Sequence, residues 1–154
     1  MALNHDYKLE QTFNSSLGGN AETLVVIACG EKIFVSKNGN ERYYQQDGDK
    51  YYDYASADGS WKKNEIEESA YLSAKQLLIG LQGQFSNFKY TGENTYYCNE
   101  IVLGDSKVQN LCITFNEDKT VRSLTWRVTV SSEEEKEAVV EIVYGSFEIE
   151  LPKI

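Results

Sequence analysis

Short segments separated by turns dominate the pattern of hydrophobic and polar positions along this chain. Asn-Gly or Asp-Gly dipeptides begin at residues 38, 47 and 58, at intervals of nine and eleven residues. Such pairs accept the positive φ that tight hairpin turns need. The segments between them, ERYYQQ and KYYDYAS, are too short for stable helices and rich in β-favouring rings. We therefore predict a β-meander here, in which each Tyr-Tyr doublet sends one ring to each face as a structural covering.

Further strands are predicted on both sides of this region. Upstream, YKLEQTF and ETLVVIACGEKIFVSK have strand patterns, and the second turns around Gly30. The run from Leu24 to Cys29 is apolar on both faces, as expected of a central strand. Downstream, a second meander is predicted from FKYTG, NTYYCNEIVLG, VQNLCITFNED, TVRSLTWRVTV and EAVVEIVYG.

The last two of these segments predict a hairpin with one continuous buried face. A centre at Glu134 sets Trp126 opposite Ile142, and it sets Arg127 opposite Glu141 on the outer face. An opposed pair of unlike charges contributes about 0.2–1 kcal/mol. The segment SSEEEKE is then a solvated acidic turn.

One segment has helical spacing. In NEIEESAYLSAKQLLIGLQGQF, apolar residues recur with a period near 3.6. They are Ala70, Ala74, Leu77, Leu78 and Leu81. Asn64 suits the N-cap, the glutamates after it suit the positive end of the helix dipole, and Gly83 suits the end. An apolar stripe this broad predicts a helix that lies against a sheet.

These elements predict a single α+β domain spanning residues 1–154. Its expected architecture is one curved antiparallel β-sheet, a half-barrel meander, with one main α-helix packed on the concave face. The chain has 154 residues, 41% hydrophobic and 25% charged, which is ordinary for one globular domain.

The three cysteines leave two interpretations open. One is three half-buried thiols, since the chain has no CxxC and no histidine near them. The other is a disulfide between Cys98 and Cys112, which are equidistant from Asp105. If Asp105 is the hairpin tip, the two sulfurs face each other across neighbouring strands, at about the ~4.5–5.5 Å Cβ separation of opposed residues. A one-residue shift of the hairpin would remove this bridge.

Several kinds of function are disfavoured by the residues. A net charge of −9 with scattered lysines and arginines argues against a nucleic-acid partner. The sole histidine, His5, lies near the terminus and no GxSxG motif is present, so we expect no catalytic triad. No zinc-ligand spacing, phosphate-binding glycine loop, leader peptide or membrane-length apolar run is found, and we expect neither metal nor cofactor.

The order of segments resembles the soluble domains of bacterial envelope lipoproteins with the LolA/LppX-like half-barrel fold. The shared features are Tyr43-Tyr44, Asp47-Gly48, Tyr51, Tyr54, Asp58-Gly59, Trp61-Lys62 and the closing segment Gly145–Pro152. The resemblance covers most of the chain, but the family's first helix and its lipid-bearing cysteine have no counterpart in it. It implies an extracytoplasmic, cell-envelope location, with membrane attachment only through a lipid anchor that this chain lacks.

In that family the sheet and its helix enclose an apolar cavity that holds acyl chains or other hydrophobic ligands. The resemblance therefore implies a non-catalytic domain that binds a lipid or another hydrophobic small molecule. Candidate cavity residues are Val26, Leu77, Leu78, Leu81, Trp126 and Ile142. Two alternatives stay open: a surface-adhesion or carbohydrate-binding module that uses exposed tyrosines, and a structural interaction domain without a small ligand. The sequence predicts no oligomeric state.

Overall fold

Eleven antiparallel strands in one sheet make up most of the molecule. The computed structural model describes residues 6–75, 88–103 and 106–154. The strands are β1 (Tyr7–Ser15), β2 (Glu22–Cys29), β3 (Lys32–Lys37), β4 (Asn40–Asp47), β5 (Lys50–Ala57), β6 (Ser60–Ile66), β7 (Lys89–Gly92), β8 (Thr95–Leu103), β9 (Ser106–Phe115), β10 (Val121–Thr129) and β11 (Glu135–Tyr144). One helix, α1 (Glu68–Lys75), lies between β6 and β7. The described residues are thus mainly β, rather than the helix-packed α+β arrangement that was predicted.

The strand order is β6-β5-β4-β3-β2-β1-β11-β10-β9-β8-β7. Each predicted meander forms one wing of the sheet, and the first and last strands pair with each other between the wings. Tight turns make this order because each strand pairs with the next along the chain. At the turn that begins at residue 58, for example, Asp58 and Gly59 have φ of 53° and 79°.

One face of the sheet, called here the inner face, carries the main core. Alternate residues of the central strands point to this face and are fully or nearly fully buried. They include Tyr7, Leu9, Val26, Ala28, Ile33, Leu111, Ile113, Leu124, Val140 and Ile142. Ile27, between Val26 and Ala28 on β2, points to the opposite, outer face.

The C-terminal segment covers part of the outer face. The thiol of Cys29 donates a hydrogen bond to the Phe147 carbonyl oxygen at 2.6 Å, and Lys32 Nζ donates to the Ile149 carbonyl oxygen at 3.4 Å. Ile149 itself is buried. Strand β2 lies inside the sheet between β1 and β3, which confirms its predicted central place, and its outer-face residues Val25, Ile27 and Cys29 are half-buried.

The described part of the helix packs on the inner face, over β3, β4 and β5. Tyr71 is 1% exposed, and its ring centroid lies 5.1 Å from that of Tyr51. Its hydroxyl donates a hydrogen bond to the Glu31 carbonyl oxygen at 3.1 Å. The predicted continuation of the helix through Leu77, Leu78 and Leu81 to Gly83 lies outside the described residues.

The prediction that Asn64 caps the helix is wrong. Strand β6 continues to Ile66, and Asn64 lies opposite Asp53 in the ladder. The Asn64 side-chain amide donates to Asp53 Oδ1 at 3.0 Å. The helix instead starts where the Glu67 carbonyl accepts from the Ala70 amide at 3.1 Å. The long ladder with β5 outweighs the local capping preference.

The predicted opposition of Cys98 and Cys112 is also wrong. Cys98 lies opposite Leu111 and Cys112 lies opposite Tyr97, so the hairpin is shifted by one residue. A one-residue shift sends the two sulfurs to opposite faces, and both cysteines are free thiols. The observed register places Cys98 on the inner face opposite the buried Leu111. The predicted register would have turned Leu111 away from that face.

The β10–β11 hairpin has the predicted faces but a different register. Trp126 lies opposite Ala138 and Arg127 opposite Glu137, four residues from the predicted partners Ile142 and Glu141. Because four is an even number, the same side chains still point inward. The physical cause is a tighter turn, which the Val130 amide closes by donating to the Glu134 carbonyl at 2.9 Å.

Strand β1 reinforces this tighter turn. Ser15 Oγ donates a short hydrogen bond to the Glu134 carboxylate, and the Ser16 amide donates to the Glu135 carbonyl at 2.8 Å. Glu134 and Glu135, which were predicted to lie in a solvated acidic turn, therefore help to close the turn, and Glu135 begins β11.

Candidate functional site

The register brings one residue from each of seven neighbouring strands into a row across the inner face. In spatial order these are Ile142, Leu9, Val26, Val35, Arg42, Ala55 and Lys62. The first three are buried, whereas Arg42 and Lys62 are exposed. Neighbouring strands lie about 4.7–4.9 Å apart, so the inner face changes from apolar core to cationic surface within a few strand spacings.

A break in the sheet lies beside Arg42. The ladder between β4 and β5 stops at the pair Arg42–Ala55. Beyond it, β4 continues only in its hairpin with β3, and β5 only in its hairpin with β6, as far as the pair Ala57–Ser60. The two hairpins are therefore not joined at their ends, and a gap remains between them.

A groove of about 660 Å³ occupies this gap, and we call it the hairpin notch. Its lining residues are Val35, Lys37, Gly39, Asn40, Glu41, Arg42, Tyr44, Ala55, Ser56 and Trp61. By strand alternation, Val35, Tyr44 and Ala55 belong to the inner face, and Trp61 belongs to the outer face. The notch therefore combines an apolar and aromatic lining with two cations, Lys37 and Arg42, and one carboxylate, that of Glu41.

The two cations lack close ion pairs. The salt bridges between described residues, within 4.0 Å, involve Lys8, Lys50, Lys107 and Lys136. Arg42 lies beside the Tyr44 hydroxyl, which with the charge of Asp53 raises the pKa of the guanidinium above its usual value. Asp53 itself accepts a hydrogen bond from Asn64. Among the described residues, neither Lys37 nor Arg42 has a carboxylate within 4.0 Å.

The residues predicted to line an apolar cavity are only partly brought together. Val26 and Ile142 lie in the same cross-sheet row, 0% and 4% exposed, as parts of the packed core. Trp126 lies on the same face further along the sheet, and its ring meets that of Phe13 edge-on at 6.1 Å. None of these three lines the notch. Leu77, Leu78 and Leu81 lie outside the described residues.

The notch residues were missed at the sequence level, although a signal for them exists. A two-residue turn that begins at Asn38 pairs Lys37 with Asn40, and it therefore pairs Val35 with Arg42. The end of the β4–β5 ladder had no such signal, because it depends on how two hairpins diverge in space.

The tyrosines of the first meander are mostly engaged within the protein. Tyr43 lies between Phe34 and Trp61, at ring-centroid distances of 5.1 and 5.4 Å. Lys63 Nζ lies 4.2 Å from the centroid of the Tyr52 ring. The tyrosine-rich segment therefore has the structural role predicted for it.

The described part of the chain, residues 6–75, 88–103 and 106–154, holds no cluster of three or more His, Cys, Asp or Glu side chains placed to ligate a metal. It also holds no helix with the length and apolar character needed to cross a membrane.

Comparisons with known proteins add little to this geometry. No family model matches the chain, and no curated protein matches it. Among solved structures, the chain is similar to a LolA superfamily protein, NE2245 from Nitrosomonas europaea, at 10% identity and a TM-score of 0.33. The match covers 98% of this chain and 90% of that one.

Proposed function

We propose that this chain is a non-catalytic binding domain for a hydrophobic small molecule or lipid, and that the ligand occupies the hairpin notch. The observation that carries the proposal is the notch itself. A groove of about 660 Å³ lies within the size range of small-molecule sites, roughly 300–1,000 Å³. Its lining is mixed: Val35, Ala55 and the rings of Tyr44 and Trp61 form the apolar part, and the polar part is formed by Lys37, Asn40, Glu41, Arg42 and Ser56. Small-molecule sites likewise combine apolar surface with polar groups that fix the orientation of the ligand.

The notch adjoins the core through Val35. Val35 pairs with the buried Val26 on one side and with Arg42 on the other. A ligand chain in the notch would cover the exposed parts of Val35, Tyr44 and Ala55 and continue the core outward. Burying a methylene contributes about 0.8 kcal/mol, so a chain of about ten methylenes gains roughly 8 kcal/mol before the cost of association.

The location that we propose is the bacterial cell envelope, with the chain as one extracytoplasmic domain of a lipoprotein. The support is the resemblance of its tyrosine-rich turns and closing segment to the LolA/LppX-like lipoprotein domains. A mature protein with a lipidated cysteine ahead of Tyr7 is the corresponding expectation, which mass spectrometry of the protein from its native cells would check.

A neutral fluorescent probe such as N-phenyl-1-naphthylamine tests the binding function. The wild-type protein should enhance its fluorescence saturably, with a stoichiometry near one. Ala55→Phe places a large ring in the notch and should weaken binding about tenfold or more, since one displaced ring-sized contact is worth ~1.4 kcal/mol or more. Val143→Phe is the matched control, because Val143 is exposed on β11 and far along the sheet from the notch.

Circular dichroism should show both variants folded, since Phe is favoured in strands. Absence of saturable probe binding by the wild type would contradict the proposal. Equal affinities of Ala55→Phe and Val143→Phe would place the ligand elsewhere on the molecule.

A further inference from the structure

We infer that the ligand of the hairpin notch is a single-chain amphiphile with an acidic head group, a carboxylate, that Lys37 and Arg42 bind together. This inference rests on the proposed function, because it names the class of ligand for the same site. Four observations carry it: the relative positions of the two cations, their lack of ion-pair partners, the apolar surface beside them, and the size of the notch.

The two cations are placed to share one anion. Arg42 lies directly opposite Val35, and Lys37 is two residues beyond Val35 on the same strand and the same face. Lys37 and Arg42 are therefore diagonal neighbours across the β3–β4 hairpin. Diagonal pairs have β-carbons roughly 7–8 Å apart, which long side chains span easily. A carboxylate held between them contacts both.

Charge favours an acid over a neutral or basic head group. Two carboxylates of this wing lie near the site, Glu41 at its rim and Asp53 beside Arg42. Neither lies within 4.0 Å of Lys37 or Arg42 among the described residues, and Asp53 is hydrogen-bonded to Asn64. Lys62, next to Ala55 in the cross-sheet row, adds a third cation on this face. The whole chain has a net charge of −9, so this group of three cations without ion-pair partners is a local feature of its surface.

The chemistry of arginine suits a carboxylate head group. The guanidinium presents parallel N–H donors that match the two oxygens of a carboxylate, and such charge-assisted bonds are about twice as strong as neutral ones. The site needs no proton transfer for this, because the Tyr44 hydroxyl and Asp53 stabilise the charged form of Arg42.

The exposure of the two cations favours an anion with an attached apolar chain over a small hydrated anion. Lys37 and Arg42 are exposed, so an ion such as acetate would exchange one set of water contacts for weak, screened ones. An attached chain adds the contacts with Val35, Ala55 and Trp61, which line the same groove. A volume of about 660 Å³ suits one chain with its head group rather than a whole two-chain lipid.

Isothermal titration calorimetry with dodecanoate and dodecanol, below their aggregation concentrations, separates head-group recognition from chain binding. The wild type should bind dodecanoate about tenfold more tightly than dodecanol, since charge-assisted hydrogen bonds contribute on that scale. Arg42→Gln and Lys37→Gln should each remove most of this preference while leaving the dodecanol affinity unchanged. Arg42→Lys should retain part of it, and Lys107→Gln, on the other wing, should retain all of it.

The outcomes distinguish this inference from the proposed function. Equal binding of both ligands by the wild type would overturn the inference and leave the hydrophobic site in place. Binding of neither ligand would remove the proposed function as well. If acetate displaces bound dodecanoate at concentrations similar to that of dodecanoate itself, the site binds anions in general. That result would also overturn the inference. If Arg42→Gln does not fold, Lys37→Gln decides the result, because Lys37 is exposed and its replacement should not affect folding.

Discussion

Removal of the Tyr71 ring tests whether α1 is held against the inner face of the sheet. Tyr71 is 1% exposed and contacts the Tyr51 ring. Truncating a buried aromatic residue to alanine costs about 3–5 kcal/mol, because transfer free energy is lost and a cavity remains. Domains of this size have a free energy of unfolding of roughly 5–15 kcal/mol. Tyr71→Ala should therefore remove a large part of the stability.

Two further variants separate the contribution of the buried ring from that of its hydrogen bond and from a general effect of shortening a helical side chain. Tyr71→Phe keeps the ring but removes the hydrogen bond to the Glu31 carbonyl, and we expect a loss of about 1 kcal/mol. Leu72→Ala is the control on the neighbouring helical position, where the side chain is 37% exposed, and it should cost less than about 1 kcal/mol.

Urea denaturation followed by circular dichroism measures these differences from the midpoints, provided that the m-values agree. The prediction would be contradicted if Tyr71→Ala lowered the free energy of unfolding by no more than Leu72→Ala does. Such a result would mean that the ring is not buried and that the helix does not lie on the inner face.

Three other predictions concern the described residues. All three cysteines should react with a thiol reagent in denaturant without reductant, and a count of one would restore the disulfide that the register excludes. Burial raises the pKa of Tyr7 and Tyr144 to about 12, so absorbance titration should show two tyrosines that ionise well above pH 10. Because the folded state holds these protons more tightly, their contribution to stability is full below the unfolded pKa of about 10 and is lost as pH rises through about 12, and a flat stability profile there would contradict it. Gly59→Ala should cost about 1 kcal/mol or more at a φ of +79°, whereas Gly145→Ala, also in open space, should cost little, and equal costs would show that backbone conformation is not the cause.

The strands were predictable because local signals mark both their ends. The turn dipeptides mark the β3–β4, β4–β5 and β5–β6 turns, and the apolar run of β2 indicates a central place. These signals act within a few residues of each other, so no knowledge of the rest of the fold is required. The same is true of the Val35–Arg42 pairing, which follows from a single two-residue turn.

Register and helix start were harder because distant contacts decide them. The partner of Cys98 depends on which apolar residues of β8 and β9 reach the inner face together, and one residue of turn length changes it. The register of β11 depends on β1, whose Ser15 and Ser16 bind Glu134 and Glu135. No local pattern contains that information.

The position of the candidate site was not predicted from the sequence. The sequence pointed to apolar residues such as Val26 and Ile142, and the structure buries these in the core. The notch lies where the β4–β5 ladder ends, and β4 is two strands from the strand of Val26 and four from that of Ile142. Sequence periodicity identifies apolar faces, but it does not show which part of a face remains uncovered.

The position of the ligand is the central claim, and photo-crosslinking tests it most directly. A dodecanoate carrying a diazirine near the chain end would be irradiated with the protein, and the labelled peptides would be mapped by mass spectrometry. Labels should concentrate on residues 35–44 and 51–57 and disappear when excess dodecanoate competes. Labels spread over the outer face, or concentrated on the exposed Tyr90 and Tyr96 of the other wing, would contradict the account.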